Sequence, residues 1–185
     1  TEIFFKKIND LEPAFFVMEN VTGIYQGKNK IELQKKIKPL SRKYSICHKI
    51  LNSINYGVPQ DRNRIFFLGF SRKIFQNIDF LFENEFNWPN AKYNDPLNEY
   101  LWPKRNNYGT NPQRPKDIPR ELYVNDYLID ESKNNIPNAN EIFDSISEKF
   151  HSVEEGYTKS HSFKRLHRYR YSPTACYGNN EVHLH

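Results

Sequence analysis

Gln60, Arg62 and Arg64 stand two residues apart, directly ahead of an apolar run from Ile65 to Phe70. In an extended segment successive side chains alternate faces. The spacing therefore predicts that these three point one way and Asp61 and Asn63 the other. Two guanidiniums on one side of a strand too apolar to face water suit an anion or the edge of a base. The same pattern also suits a charged strand entrance that keeps one end solvated. A second candidate is Glu19 with Asn20, where polarity switches abruptly after the apolar run Ala14–Met18. In open α/β sheets, ligands bind beyond the carboxyl ends of strands. A carboxyl group there is partly withdrawn from water, which favours its protonated form and fits it for proton donation. A glutamate that only caps a turn would look the same.

Charge supplies a third candidate. The chain carries 27 basic and 22 acidic residues, a net charge of +5. From Gly156 to Asn180 there is no Asp or Glu, while Lys159, Lys164, Arg165, Arg168 and Arg170 all fall there. Removing those five leaves 22 basic residues against 22 acidic ones, so the excess charge sits in that one stretch. It is interleaved with Phe163, Tyr169 and Tyr171, a mixture that suits phosphate contacts with base stacking. A solvated basic strand or loop is the plainer alternative.

These residues need elements to position them. With 185 residues the chain can form one ordinary domain or two small ones. Ile3, Phe4, Ile8 and Leu11 have loosely helical spacing, which Pro13 stops. Ala14–Met18 is a short apolar run of the kind buried on both faces. Ile31, Leu33, Ile37 and Leu40 predict a helix up to Pro39, and the stretch Lys43–Leu51 alternates like a strand. The order up to about Arg72 is helix, strand, helix, strand, loop, strand, a piece of an α/β sheet. The loop from Asn52 to Asp61 is too short for a parallel crossover, so the last two strands should be antiparallel. Beyond Arg72, Asn and Pro rise and periodicity fades, which places a domain boundary between about Arg72 and Asn90. Glu121–Ile129 and Ala139–Phe150 look like short ordered elements, with a helix over Ser145–His151. Cys47 and Cys176 make neither a disulfide framework nor a zinc set, and an intracellular compartment is the default. No apolar run approaches the roughly 20 residues of a membrane helix.

Three motifs occur in order: ENVTG at 19–23, NYGVPQDRNRIFFLGF at 55–70 and RYSPTACYGNNEVHLH at 170–185. Together they closely resemble the DNA cytosine-5 methyltransferases, whose variable region falls between the second and third. The resemblance covers nearly the whole chain, more loosely from Ser71 to His161. It implies an α/β fold, part of a class I, Rossmann-like methyltransferase sheet, followed by a smaller irregular target-recognition domain. Residues 1–72 would belong to the catalytic domain, 73–89 would connect, and 90–185 would form the target-recognition domain running into the late family motifs.

The resemblance also implies the chemistry. A cytosine is flipped out of double-stranded DNA, a cysteine thiolate adds to C6, and C5 takes a methyl group from S-adenosyl-L-methionine. Glu19 matches the glutamate that donates at N3 and hydrogen-bonds the exocyclic amine. Arg64 matches the arginine that reaches O2. Arg62 and Gln60 would shape the pocket, and Asn20 would fix the loop that carries the nucleophile. Arg165, Arg168 and Arg170 would contact phosphate or guanine. Thr174, Tyr177, Gly178, Asn179 and Asn180 resemble the recognition loop beside the flipped nucleotide.

The departures are specific. The family's nucleophile lies in a Pro-Cys motif ahead of the ENV motif; Cys47 follows Ile46 and Cys176 follows Ala175, so both are read as small buried residues. The glycine-rich cofactor loop also lies upstream in the family, so no cofactor-binding residue is assigned here. The chain opens on Thr1 rather than Met and stops within the third motif, and is expected to be a fragment of a larger enzyme, inactive by itself. No metal is expected, because His183 and His185 lack companions at ligand spacing. The expected setting is a prokaryotic cytoplasm, with a monomeric parent enzyme and a cognate restriction endonuclease in the same restriction-modification system. The alternative is a non-catalytic, sequence-specific DNA-binding protein derived from the same fold.

Overall fold

The computed structural model describes residues 1–76, 86–128, 148–159, 163–175 and 182–184. Its elements in chain order are α1 (Glu2–Leu11), β1 (Phe15–Val21), α2 (Gly27–Leu40), β2 (Tyr44–Asn52), β3 (Gln60–Asp61), β4 (Asn63–Ser71), α3 (Pro96–Glu99), α4 (Glu148–Ser152), β5 (Phe163–Arg165), β6 (Ser172–Pro173) and β7 (Val182–Leu184). The chain divides into two compact units: Thr1–Asn52 with Asn63–Asn90, and Ser53–Arg62 with Ala91–His185. The division is not serial, because the segment joining β2 to β4 belongs to the second unit. Among the described residues no helix is long and apolar enough to cross a membrane.

The first unit is a mixed α/β layer. Helix α1 ends as expected ahead of Pro13: Glu12 takes a left-handed conformation (φ 41°) and its N–H donates to Ile8 O at 3.0 Å. Its buried face carries Phe5 and Ile8, whereas Ile3 and Leu11 face outward. Helix α2 runs one residue past Pro39, to Leu40. Proline offers no N–H to the carbonyl one turn back, and the helix ends one residue later, where the Ser41 N–H donates to Ile37 O at 3.1 Å. Phe5, Ile8, Leu33 and Leu40 from the helices pack with Phe16, Met18, Tyr44, Ile65 and Phe67 from the sheet. Burying a side chain of this size stabilises the fold by roughly 1.5–3 kcal/mol.

The sheet has the order β1-β4-β2, and both pairings are antiparallel. The expected antiparallel return is therefore present, with Asn52 opposite Asn63. The expectation that β1 is buried on both faces is corrected. Phe16 and Met18 are buried, but Phe15, Val17 and Val21 are about half exposed or more. The helices cover one face; on the other, Phe70 packs against Phe75 and Phe86, with ring centroids 5.8 and 5.9 Å apart. Gly69 is required by the close approach of Phe16: a Cβ there would lie 2.1 Å from that ring.

The second unit has little regular structure. Strand β3 pairs in parallel with β6, Gln60 opposite Ser172, and β5 pairs in parallel with β7. Ile54, Ile118, Leu122 and Tyr123 form its core, with Trp102, Tyr169 and Tyr171 packed around them. The element expected over Glu121–Ile129 is found as two short 3-10 turns, Arg120–Leu122 and Val124–Tyr127. Of the segment Ala139–Phe150, residues 139–147 lie outside the described set, and α4 begins at Glu148.

Candidate functional site

In the first unit, the antiparallel register of β1 and β4 sets Glu19 opposite Phe66 and Val21 opposite Arg64. Glu19 and Arg64 are thus diagonal neighbours on one face, close enough for long side chains to meet. They do: Arg64 Nε and Glu19 Oε1 form an ion pair at 2.9 Å. The guanidinium is further anchored by Nη1 donating to Asn63 O at 2.8 Å. The Arg64 side chain is 15% exposed and that of Glu19 is 45% exposed. The strand end thus withdraws the Glu19 carboxyl from water only in part. The unit presents a half-open carboxyl beside an anchored guanidinium, a planar acceptor next to a planar donor. Asn20 is turned inward on its own backbone, its Oδ1 accepting the Val21 N–H at 2.9 Å.

The Gln60–Arg64 stretch is not one continuous strand. β3 ends at Asp61, Arg62 stands outside both strands, and β4 begins at Asn63. The reason is that the two strands have different partners, β6 for one and β1 with β2 for the other. Gln60 and Arg62 fall in the second unit and Arg64 in the first. Gln60 Nε2 donates to Pro173 O at 3.4 Å, and Thr174 Oγ1 donates to Asp61 O at 2.8 Å. The Arg62 carbonyl closes the base of the segment by accepting the Ser53 N–H at 3.1 Å.

The arginines expected on the nucleic-acid surface are placed differently from that expectation. Arg165 is 3% exposed; its Nε donates to Val153 O at 2.9 Å and its guanidinium lies 4.4 Å from the Tyr108 ring centroid. Burial pulls its pKa below the usual arginine value, against the opposing effect of Tyr108 and Glu155. Arg168 is drawn onto Glu155, a carboxylate only 4% exposed. Its backbone N–H and Nε donate to Oε1 at 2.7 and 2.9 Å, and Nη2 donates to Oε2 at 3.1 Å. Burial pushes the Glu155 carboxyl up, but the hydrogen bonds and charge of Arg168 outweigh it, and the net direction is down. Arg170 Nη1 donates to Pro103 O at 3.3 Å. The backbone is tied down as well: Arg168 O and Arg170 O accept the N–H groups of Asn125 and Val124. An acidic residue outside the basic stretch, Glu155, thus draws Arg168 inward.

Cys47 is 1% exposed, and burial pushes its thiol up to about 11, which makes it inert as a nucleophile. Tyr177, Gly178, Asn179, Asn180, Cys176 and His185 lie outside the described residues. Among the described residues no group of three or more His, Cys, Asp or Glu could hold a metal ion. Sequence reasoning passed over a different surface. From Leu101 to Lys116 the chain has four basic residues (Lys104, Arg105, Arg114 and Lys116) and no acidic one. That charge signal was available, but it is spread among Asn and Pro residues that read as loop.

Comparison with known proteins gives a consistent result. A family model described as C-5 cytosine-specific DNA methylase matches residues 3–183. The chain is 41% identical over 179 residues to the type II methyltransferase M.NmeDI of Neisseria meningitidis serogroup C, covering 94% of this chain and 41% of that protein. It is 32% identical over 105 residues to the type II methyltransferase M.FnuDI of Fusobacterium nucleatum, covering 56% of this chain and 29% of that one. A match to M.DdeI of Desulfomicrobium norvegicum is 40% identical over 72 residues, 36% of this chain and 17% of that protein. The chain thus spans about two fifths of the length of the Neisseria relative.

Proposed function

Because the chain belongs to the C-5 cytosine-specific DNA methylase family, we propose that it is the part of a type II modification enzyme that holds a flipped cytosine and contacts the surrounding DNA. The three-stranded sheet of the first unit is one edge of a class I methyltransferase sheet on this reading, and residues 90–185 form the target-recognition domain. The full enzyme is a soluble prokaryotic protein working beside a restriction endonuclease of the same specificity.

The observation that carries the reading is the Glu19–Arg64 contact of 2.9 Å between β1 and β4. Cytosine presents along one edge an amine, the N3 lone pair and the O2 carbonyl. A protonated Glu19 accepts from the amine and donates to N3, while Arg64 donates to O2. Addition of a thiolate at C6, from a Pro-Cys motif that this chain does not contain, builds negative charge at N3 and O2. A donor already fixed at O2 stabilises that charge without reorganising, and a proton from Glu19 neutralises it at N3. Arg64 is held by the Asn63 carbonyl and is largely buried, so it is pre-placed. Glu19 is the more open partner, and burial of its carboxyl is completed by the base itself. S-adenosylmethionine supplies an electrophilic methyl group when bound. The seven glycines of this chain stand singly along it, so none of its residues is assigned to hold the cofactor.

Bisulfite sequencing of DNA from cells expressing the full-length protein tests the proposal. The expected result is 5-methylcytosine at one fixed sequence, lost in Glu19→Gln. Specific DNA binding without any methylation in the unmutated protein would favour the non-catalytic alternative instead.

A further inference from the structure

We propose that the DNA surface of the second unit is the loop from Leu101 to Lys116, with Lys104 and Lys116 on phosphates and Leu101 in apolar contact with the bases. This rests on the DNA reading above and moves the contact away from the Lys159–Arg170 stretch.

Four observations lead there. The arginines of the Lys159–Arg170 stretch have internal partners: Arg165 at Val153, Arg168 at Glu155, Arg170 at Pro103. In that stretch only Lys159 among the basic residues is exposed, whereas Lys104, Arg105, Arg114 and Lys116 of the loop are all exposed. Arg105 and Arg114 reach Glu154 and Asp126 at 3.5 and 3.1 Å. Lys104 and Lys116 are exposed and make no described ion pair or side-chain hydrogen bond. Two uncompensated ammonium groups with no acidic residue between them suit a polyanion.

The loop is also held in shape. The Asn106 N–H donates to Glu155 O at 3.1 Å and the Glu155 N–H returns a bond to Asn106 O at 2.9 Å. A tight turn follows, in which the Thr110 hydroxyl donates to Asn107 O at 2.7 Å and Gly109 takes a positive φ of 80°. Arg168 supports it from below, with Nη2 donating to Thr110 O at 3.4 Å and Nη1 to Asn111 Oδ1 at 3.5 Å. The buried Glu155–Arg168 pair is thereby the pedestal of the loop, and Arg168 is a positioning residue rather than a DNA contact. Finally, Leu101 is 97% exposed although the next residue, Trp102, is fixed by Nε1 donating to Pro96 O at 3.0 Å and by its edge on Tyr171 at 4.9 Å. An apolar side chain thrust into water from a fixed base, near free cations, suits contact with a thymine methyl or a base step.

The test is salt-dependent DNA binding by the full-length protein, followed by fluorescence anisotropy, with thermal melting and bisulfite sequencing alongside. Replacing Lys104 and Lys116 together by alanine should lower the slope of log K against log salt by about two units, since each phosphate contact contributes about 0.9. The melting temperature should not move. Leu101→Ala should weaken binding several-fold with the slope unchanged. An unchanged slope in the double variant overturns the inference, even where the unmutated protein methylates DNA. A lowered slope supports it, even if no methylation is found and the catalytic reading fails. An unmutated protein that binds no DNA overturns both.

Discussion

Two Arg–Glu pairs of this chain have similar contacts and opposite surroundings. Arg64 meets Glu19 at 2.9 Å and Arg168 meets Glu155 at 2.9 Å. In the first pair the carboxylate is 45% exposed, in the second 6%. Glu155 takes three hydrogen bonds from one arginine and is closed off by the fold. Glu19 takes a single described ion-pair contact and leaves most of its bonding capacity open. The difference separates a pair that stabilises from one available to a ligand. A charge-pair motif in sequence does not say which it is; the burial of the carboxylate does.

The largest expected effect breaks the buried pair. Arg168→Ala strands a carboxylate in the interior and should destabilise the second unit by about 3–5 kcal/mol. The equivalent change at Arg64 leaves a half-exposed carboxylate and should cost no more than about 1 kcal/mol. Urea denaturation of the full-length protein compares them; equal losses would erase the distinction. Next comes the open pair. Glu19→Gln keeps shape but removes the proposed proton donor, and the methylation rate should fall roughly 10²-fold or more, with DNA affinity little changed. A rate within about threefold of the unmutated enzyme would remove Glu19 from the chemistry.

A milder change sharpens the comparison. Arg168→Lys keeps the charge but not the planar fork, and should cost about 1.5–3 kcal/mol for a lost charge-assisted hydrogen bond. The smallest effect is in acid. Glu121 is held down to about 2 by hydrogen bonds from Lys92 and Tyr93. Its folded pKa lies below its unfolded value near 4.5. It therefore contributes stability that is present above about pH 4.5 and is lost as the pH falls toward about 2. Glu155, also depressed, acts in the same direction. Melting temperature against pH should show a shallower acid limb in Glu121→Gln than in the unmutated protein.

The first unit was largely legible because its elements are local. Apolar spacing, Pro13 and a short return loop define α1, α2 and the three strands without reference to distant residues. The placement of Glu19 and Arg64 was legible for the same reason: each lies near the end of a readable strand. What failed there was burial. A run such as Ala14–Met18 does not reveal whether one or both faces will be covered. The second unit was hard to read because its order depends on pairs far apart, such as Asn106 with Glu155 and Arg168 with Glu155. Arg165, Arg168 and Arg170 looked like a surface because nothing in their own stretch is acidic. The acid that captures Arg168 lies just outside it, at Glu155.

The short parallel ladder of β3 and β6 sets an order of events during synthesis. Gln60 and its partner Pro173 are 113 positions apart. At a ribosomal pace of about 5–20 residues per second, that gap lasts roughly 6–23 s. Strands β2 and β4 are complete early in this interval, so the hairpin can close while its tip still lacks a partner. Ile54, part of the second unit's core, emerges with that tip and waits for Ile118, Leu122 and Tyr123. A nascent chain stalled before Ser172 would therefore carry a finished sheet and an unclaimed tip, the form in which quality-control proteases would first meet it.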